Sequence, residues 1–419
     1  MVRGDGDTMK TLFTLSDVKP NEIRLHTEVA QDEITEKISN SFDYKFTGFV
    51  DTVISVPKFP TEFQIGLIVG SSGSGKSTLA KKFGDMASVK WDDRRSIASH
   101  FESFEDASSH FGAVGLNSIP TWLKPYSVLS TGEKFRADMA RCLYNGAVID
   151  EFTSVVNREC AVSCSNSISK YIRANGLRNI VFVSCHDDII DYLQPDWIYD
   201  TDKQELTSRG SVRQRPSFVL EVSQCSKQVW SMFAKYHYLS AELNKSADCY
   251  IFSYNSLPVA FGAILPMPGR FGDGSDTRKC VSEHRIVVLP DYQGLGIGNK
   301  VSEYLAELYL SQGYRYFAKT ANPRMGEHRN RSALWRPTCY NQKLKTKRTT
   351  LDTITDSDIS SMMGGANRVS NGGMGRCATV ESAMLALTRL CYSHEYIGDE
   401  NTVIGEHTLH KATNMKRLF

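Results

Sequence analysis

The sequence predicts an α/β protein of two domains, and three features predict it. A short β-branched run, a glycine-rich loop and a helical pattern follow one another at 64–83. A second strand, glycine-rich turn and amphipathic helix occupy 283–308, and between the two 206–216 is polar, basic and without apolar periodicity. At 419 residues the chain exceeds one typical domain, since about 150 residues per domain gives two or three. We place the first domain at 1–208, a linker at 209–216 and a second, mixed α+β domain at 217–419, with a loop insertion near 343–378 where Ser, Asp and Gly cluster.

With 41% hydrophobic and 23% charged residues, the chain has enough apolar material for real cores and is neither disordered nor collagen-like in composition. No run approaches the roughly 18 consecutive apolar residues of a membrane span, and residues 1–10 lack the apolar stretch of a signal peptide. We therefore expect no membrane partner and a cytoplasmic location, the host cytoplasm if the protein is phage-encoded. The ten cysteines are scattered, and the closest pair, Cys160 and Cys164, has no second pair at zinc-finger spacing. Reduced thiols and no structural metal are expected. A net charge of +2 does not mark the whole chain as a nucleic-acid binder.

In the first domain, 64–70 (QIGLIVG) reads as a buried strand, followed at once by Gly70-Ser-Ser72-Gly73-Ser-Gly75-Lys76-Ser77-Thr78 and a helical pattern. Here the glycines let the backbone wrap phosphates. Lys76 reaches the outer ones and the Ser77 hydroxyl holds Mg2+. Next comes Leu129-Ser130-Thr131-Gly132-Glu133 before a helical run from 134 to 143. The apolar strand 147–149 then ends in Asp150 and Glu151, which suits one acid that supports magnesium and one that orients an attacking water. A further strand at 180–184 ends at Cys185-His186, where His186 can reach a terminal phosphate.

These four elements in this order resemble the ABC ATPases: Walker A, a signature reading LSTGE in place of LSGGQ, Walker B with its glutamate, and the switch histidine. The resemblance spans about 40–205. It implies ATP and Mg2+ as ligands, with Gly70, Ser72, Gly73, Gly75, Lys76, Ser77 and Thr78 holding the nucleotide, Ser77 and Asp150 the metal, and Glu151 and His186 acting in hydrolysis. It also implies that Ser130 and Gly132 touch the nucleotide held by a partner subunit, hence a homodimer. The sequence departs from the family in three places. Only 54 positions separate Lys76 from Ser130, which argues against a transporter role. Asp92 and Asp93 stand where a magnesium-contacting glutamine is usual, and Asn157 stands for the aspartate after Walker B. Phe46 or Phe49 is either an adenine-stacking ring or ordinary core.

In the second domain, 227–236 reads as a helix, and 249–254 and 259–265 alternate like paired strands. The run EHRIVVLPDYQGLGIG at 283–298 leads into a helix with apolar Val301, Tyr304, Leu305 and Leu308. Free amides at that helix start suit a pyrophosphate. A nicotinamide-binding loop would read G-x-G-x-x-G, whereas this one reads G-x-G-x-G and follows Pro290. The pattern is similar to the acyl-CoA loop of the GNAT acyltransferases, matched at Gln293, Gly296 and Gly298 over about 217–340, with a closing strand near 391–397. That resemblance implies an acyl-CoA such as acetyl-CoA, with Val287, Leu289, Gln293, Gly294, Gly296 and Gly298 lining it. It further implies that the motif strand, 285–289, splays from its neighbour and offers a backbone amide to the thioester carbonyl. Glu283 and His237 are candidate bases, and Tyr340 is a candidate acid for the leaving thiolate; each is also a reasonable packing residue.

From 321 to 348 there are eight Lys or Arg (Arg324, Arg329, Arg331, Arg336, Lys343, Lys345, Lys347, Arg348) against Glu327 alone, a local charge of +7. With Trp335 and Tyr340 among them, this reads either as a nucleic-acid surface, DNA or RNA, or as a solvated face that anchors coenzyme phosphates. The His237-Tyr-Leu-Ser element and the motif strand together are similar, over a short stretch, to the bacteriophage Mom-type proteins, GNAT-like enzymes that modify an adenine amine. That similarity implies nucleic-acid modification coupled to an ATP-driven clamp. The competing classes are a protein or small-molecule N-acetyltransferase regulated by ATP, and an ATPase carrying a non-catalytic coenzyme A module.

Overall fold

The computed structural model describes residues 22–208, 216, 218–237, 242–267, 279–343 and 391–399. The linker reading at 209–216 and the insertion reading at 343–378 lie almost wholly outside the described residues. The described chain is α/β throughout and separates into two compact units. One holds the described residues up to Ile97 and from Pro125 to Pro216; the other holds Ala98–Lys124 with the described residues from 218 onward.

The first unit opens with an antiparallel pair, β1 (Glu22–Glu28) and β2 (Phe49–Ser55), bridged by α1 (Glu33–Ser41). Asp32 caps α1 by accepting the Ile34 and Thr35 N–H groups, and those bonds hold its carboxyl below the usual range. The main sheet takes β3 (Ile65–Val69), which leads into α2 (Lys76–Ala80). Beyond α3 (Phe104–Ala113) and α4 (Ile119–Trp122), which belong to the second unit, come α5 (Thr131–Arg141), β4 (Val148–Ile149) and α6 (Arg158–Asn175). The unit ends with β5 (Ile180–Ser184), α7 (Ile190–Leu193), β6 (Trp197–Asp200) and β7 (Glu205–Ser208).

The strand order is β4-β5-β3-β6-β7, parallel except for β7. β3 and β5 are buried at every position, as central parallel strands must be when both faces are covered, and this is why they read as unbroken apolar runs. Gly66 lies under the Trp197 ring, where any Cβ would collide with the indole. Because β3, β4 and β5 run the same way, Gly70, Asp150 and His186 all emerge at the same edge of the sheet.

The second unit contains β8 (Glu221–Gln224), α8 (Trp230–Phe233), β9 (Asp248–Tyr254), β10 (Leu257–Met267), β11 (Cys280–Val288) and α9 (Ile297–Ser311). β12 (Arg315–Thr320), α10 (Pro323–Arg331), β13 (Trp335–Pro337) and β14 (Tyr392–Tyr396) complete it. The sheet order is β13-β14-β12-β11-β10-β9-β8, antiparallel except between β11 and β12. α9 buries Ile297, Val301, Leu305 and Leu308, the spacing of one helical face, in a core with Tyr250, Phe252 and Val281. The helix expected at 227–236 is present over those residues, α-helical at α8 and tightened to 3-10 turns on either side. Residues 98–124 join this unit: Phe111 packs on Trp122 at 5.2 Å, and Gly112 faces the Arg324 guanidinium so closely that a Cβ there would displace it. No described helix is long and apolar enough to cross a membrane.

Glu395 on β14 lies between Arg315 and Arg336, 2.7 Å from each. Burial pushes its carboxyl up, but the two guanidinium bonds outweigh that and hold it below the usual range. A carboxyl depressed in the folded state contributes stability above its unfolded pKa, about 4.3, and loses it as pH falls through the folded value. Arg315→Met should therefore cost about 2–3 kcal/mol at pH 7 in urea unfolding, less than a fully stripped pair because Arg336 remains. The deficit should shrink as pH falls through the carboxylate range; a deficit unchanged with pH would deny the ion pair its role.

Candidate functional site

In the first unit, the phosphate loop is pinned at both ends. Gly75 adopts φ 85° as it enters α2 and sits against Ile54, where a side chain would not fit. Gly70, with φ 149°, approaches Thr201 as closely. Asp202 accepts from the Ser71 N–H at 2.7 Å and from its hydroxyl at 2.8 Å, and Ser74 meets the Thr201 hydroxyl at 2.6 Å. The Lys76 ammonium donates to the carbonyls of Gly70 (2.9 Å) and Ser71 (2.6 Å), so its charge is held over the concave side of the loop. Ser72, Gly73, Ser77 and Thr78 lie along the same turn; around Gly73 there is open space on the side a Cβ would take. A glycine-rich loop under a lysine fits a polyphosphate.

Asp150 and Glu151 follow β4 directly. Glu151 has φ 52°, a left-handed backbone that costs a non-glycine residue about 1 kcal/mol or more, and its N–H donates to Asp150 Oδ1 at 2.9 Å. The Glu151 side chain is exposed, while Asp150 is half-buried. His186 is half-buried at the end of β5, the strand between β3 and β4, and its N–H donates to the Ser184 hydroxyl. Ser130 caps α5 in a reciprocal box with Glu133, and Gly132 lies in the first helical turn. Asn157 caps α6 by accepting the Cys160 N–H at 2.8 Å, a structural duty that an aspartate would also fill. Asp93 accepts the Ser127 N–H at 3.0 Å and Asp92 engages Arg94. Phe46 is half-buried and Phe49 is exposed on the β2 edge beside His26.

A cluster unforeseen from the sequence lies just before α5. Trp91 and Tyr126 stack at 5.2 Å, and both donate to Asp138 on α5, each at 2.7 Å, while Arg141 covers the Trp91 ring. Burial raises the Asp138 carboxyl, although both bonds oppose this.

In the second unit, β11 pairs with β12 only from Cys280 to Ser282, then the two strands part. A bulge at His284 breaks the β10 register between Arg285 and Glu283, which bends β11 away. From Glu283 to Val288 the β12-facing edge of β11 has no strand partner among the described residues. This is the splay expected at 285–289. Val287 is buried, and the Leu289 N–H donates to the Val259 carbonyl. Gly294 (φ 98°) and Gly296 (φ 86°) are left-handed, and Gly296 caps α9, so the amides at the start of this 15-residue helix are unshielded by side chains. Gly298 follows in its first turn, with Met325 and Val288 nearby. Gln293 uses both ends of its amide: Nε2 donates to the Val288 carbonyl and Oε1 accepts the Asn117 N–H, each at 2.9 Å.

The proton-handling candidates fare differently. Glu283 is buried, and both its oxygens are engaged: Arg329 donates to each at 2.9 Å, Ser302 at 2.5 Å and Tyr316 at 3.3 Å. That ion pair ties β11, α9 and α10 together and does not favour the role of base. His237 is half-buried, edge-on to Trp230 at 5.8 Å. Tyr340 is exposed, with the Lys319 ammonium over its ring. His284, passed over in the sequence, accepts the Asn244 N–H at 3.3 Å; burial and then Arg285 push its imidazole down to about 4, so it is neutral at physiological pH. The basic stretch is less of a patch than its charge implied. Arg329 is buried, Arg336 is paired with Glu395, and Trp335 is buried under Arg329 rather than available to stack on a base. Lys345, Lys347 and Arg348 lie outside the described residues.

Residues 215–329 match the family model described as the acetyltransferase (GNAT) family. This part of the chain is a GNAT domain. A dimeric ATP-binding cassette in a post-hydrolysis state with ADP and Pi is 16% identical, covering 41% of this chain and 95% of that one, with a TM-score of 0.30. A GNAT family acetyltransferase from Elizabethkingia anophelis with acetyl-CoA bound is 14% identical, covering 28% of this chain and 77% of that one, with a TM-score of 0.20. No curated protein matches. The chain thus carries an N-terminal unit whose phosphate-loop motifs lie at one sheet edge, and a later region that matches the GNAT family.

Two outcomes follow for these sites. Lys76→Ala should abolish nucleotide binding in calorimetry yet leave coenzyme A binding measurable without nucleotide. Glu283→Gln should act on the fold, costing about 3 kcal/mol in urea unfolding by leaving Arg329 buried without its countercharge; a stable variant that had lost only turnover would restore Glu283 as a base.

Proposed function

We propose that this protein is an ATP-hydrolysing, acetyl-CoA-dependent N-acyltransferase, working as a dimer through its ATP-binding units. The observation that carries the reading is the pairing of a splayed β11 edge with the glycine turn at 293–298 in the same chain as a complete phosphate loop. When bound, acetyl-CoA supplies an acyl group activated as a thioester, and ATP with Mg2+ supplies the free energy of phosphoryl transfer.

In this reading the Gly294–Gly298 amides would hold the coenzyme pyrophosphate, and the β11 backbone at Val287, on the edge that β12 leaves, would receive the pantetheine arm beside Leu289 and polarise the thioester carbonyl. His237 takes the proton of the acceptor amine and the exposed Tyr340 hydroxyl returns one to the thiolate. In the first unit Lys76 holds the outer phosphates, Ser77 and Asp150 the metal, Glu151 orients water and His186 contacts the terminal phosphate. Ser130 and Gly132, at the start of α5, serve the nucleotide of the second subunit.

For the acceptor we favour an amine of a nucleic-acid base, supported by Tyr340 and Lys319 at an exposed edge and by Lys343 nearby. The test is incubation of purified protein with labelled acetyl-CoA and a cell lysate, with and without ATP, followed by partition of label between nucleic acid, protein and small molecules. ATP-dependent label in nucleic acid, lost in Glu151→Gln, is the expected result. Label in protein or metabolites would overturn the nucleic-acid acceptor, and no label anywhere would overturn the transferase.

A further inference from the structure

Residues 98–124 lie in sequence between the phosphate loop and Ser130, yet they fold with the GNAT domain. They reach its acyl-CoA loop through the Asn117 N–H, which donates to Gln293 Oε1 at 2.9 Å. The other end of the same amide holds the Val288 carbonyl at the splayed end of β11. Nearby, Gly112 on α3 receives Arg324 from α10, a second contact that only a residue without a side chain permits.

At the root of this arm, its two flanks are joined by the Asp93 carboxylate accepting the Ser127 N–H and by the Trp91–Tyr126 stack. Trp91 and Tyr126 in turn donate to opposite oxygens of Asp138 on α5, the helix that Ser130 caps. A continuous series of hydrogen bonds and packed rings therefore runs from the signature helix to the root of the arm, and a second from the arm's Asn117 to the acyl-CoA loop. Coupling needs such a physical series and two states to bias; the nucleotide cycle offers the states.

We propose that Asn117 is a positioning residue for the acyl-CoA loop, and that the arm 98–124 makes acetyl-CoA affinity respond to the nucleotide held at the signature helix. The inference rests on the transferase reading above. Because binding free energies are linked, coenzyme A must then alter ATP affinity by the same factor.

The experiment uses the full chain carrying Glu151→Gln, which keeps ATP from being consumed, and titrates coenzyme A by calorimetry with and without ATP and Mg2+. We expect ATP to change the coenzyme A Kd by about five-fold or more. Adding Asn117→Pro, which deletes the N–H, should bring that ratio to within about two-fold while coenzyme A still binds. Asp93→Ala, which unties the root without touching the GNAT domain, should do the same, and it serves if the proline variant does not fold. In the hydrolysis-competent protein the same changes should move KM for acetyl-CoA more than kcat. Coenzyme A binding indifferent to ATP, or an ATP effect intact in both variants, would overturn the coupling and leave the transferase reading standing. No coenzyme A binding in any state would overturn both.

Discussion

Both units depend on one backbone constraint: the chain must leave a central strand through a glycine turn that carries its backbone out of the sheet. At the end of β3 the chain escapes through Gly70, Gly73 and Gly75, all at positive φ; beyond β11 it escapes through Gly294 and Gly296. Only glycine takes such backbones without strain and brings amides close to a ligand. The surrounding structure serves these exits. Asp202 and Thr201 hold the first loop from β6, and Gln293 fastens the second to Val288.

The motifs were legible in the sequence because they are local. The strands at 64–70 and 180–184 emerged within a residue of their predicted limits, since central parallel strands are apolar on both faces and turn residues bound them. Gln293, Gly296 and Gly298 lie in the turn and helix start that the sequence pattern predicts, and the splay of β11 accompanies them. What the sequence hid was long-range. Nothing in EHRI distinguishes a solvent-facing Glu283 from one paired with Arg329, 46 residues later. Likewise, the charge of 321–348 did not reveal that Arg329 and Arg336 are committed to carboxylates or that Trp335 is buried. The path of 98–124 into the second unit is topological, and no periodicity encodes it. The helix expected at 227–236 is there, and its apolar residues Val229, Trp230 and Phe233 pack in one cluster with Phe261.

The buried charges of the GNAT domain show how polar groups are used there. Arg329 is almost wholly enclosed, bonded to Glu283 and Ser302 and laid on the Trp335 ring. An isolated buried guanidinium would be prohibitive; one shared among a carboxylate, a hydroxyl and an aromatic face is tolerable and demands a single arrangement. Since its partners come from β11, α9 and β13, the network fixes α10 against the very strand whose far end splays. Glu395, between Arg315 and Arg336, does the same for β14.

The Gln293 side chain carries a constraint on ancestry. Its neighbours present one acceptor, the Val288 carbonyl, and one donor, the Asn117 N–H, so the position needs a residue with both characters at its tip. Arginine in this place would offer donors only, and glutamate at neutral pH acceptors only. A chain that lacked the arm would be free to carry arginine here; one that gained it would be confined to the amide. Among descendants of this architecture, the identity of one loop residue should therefore record whether the arm is present.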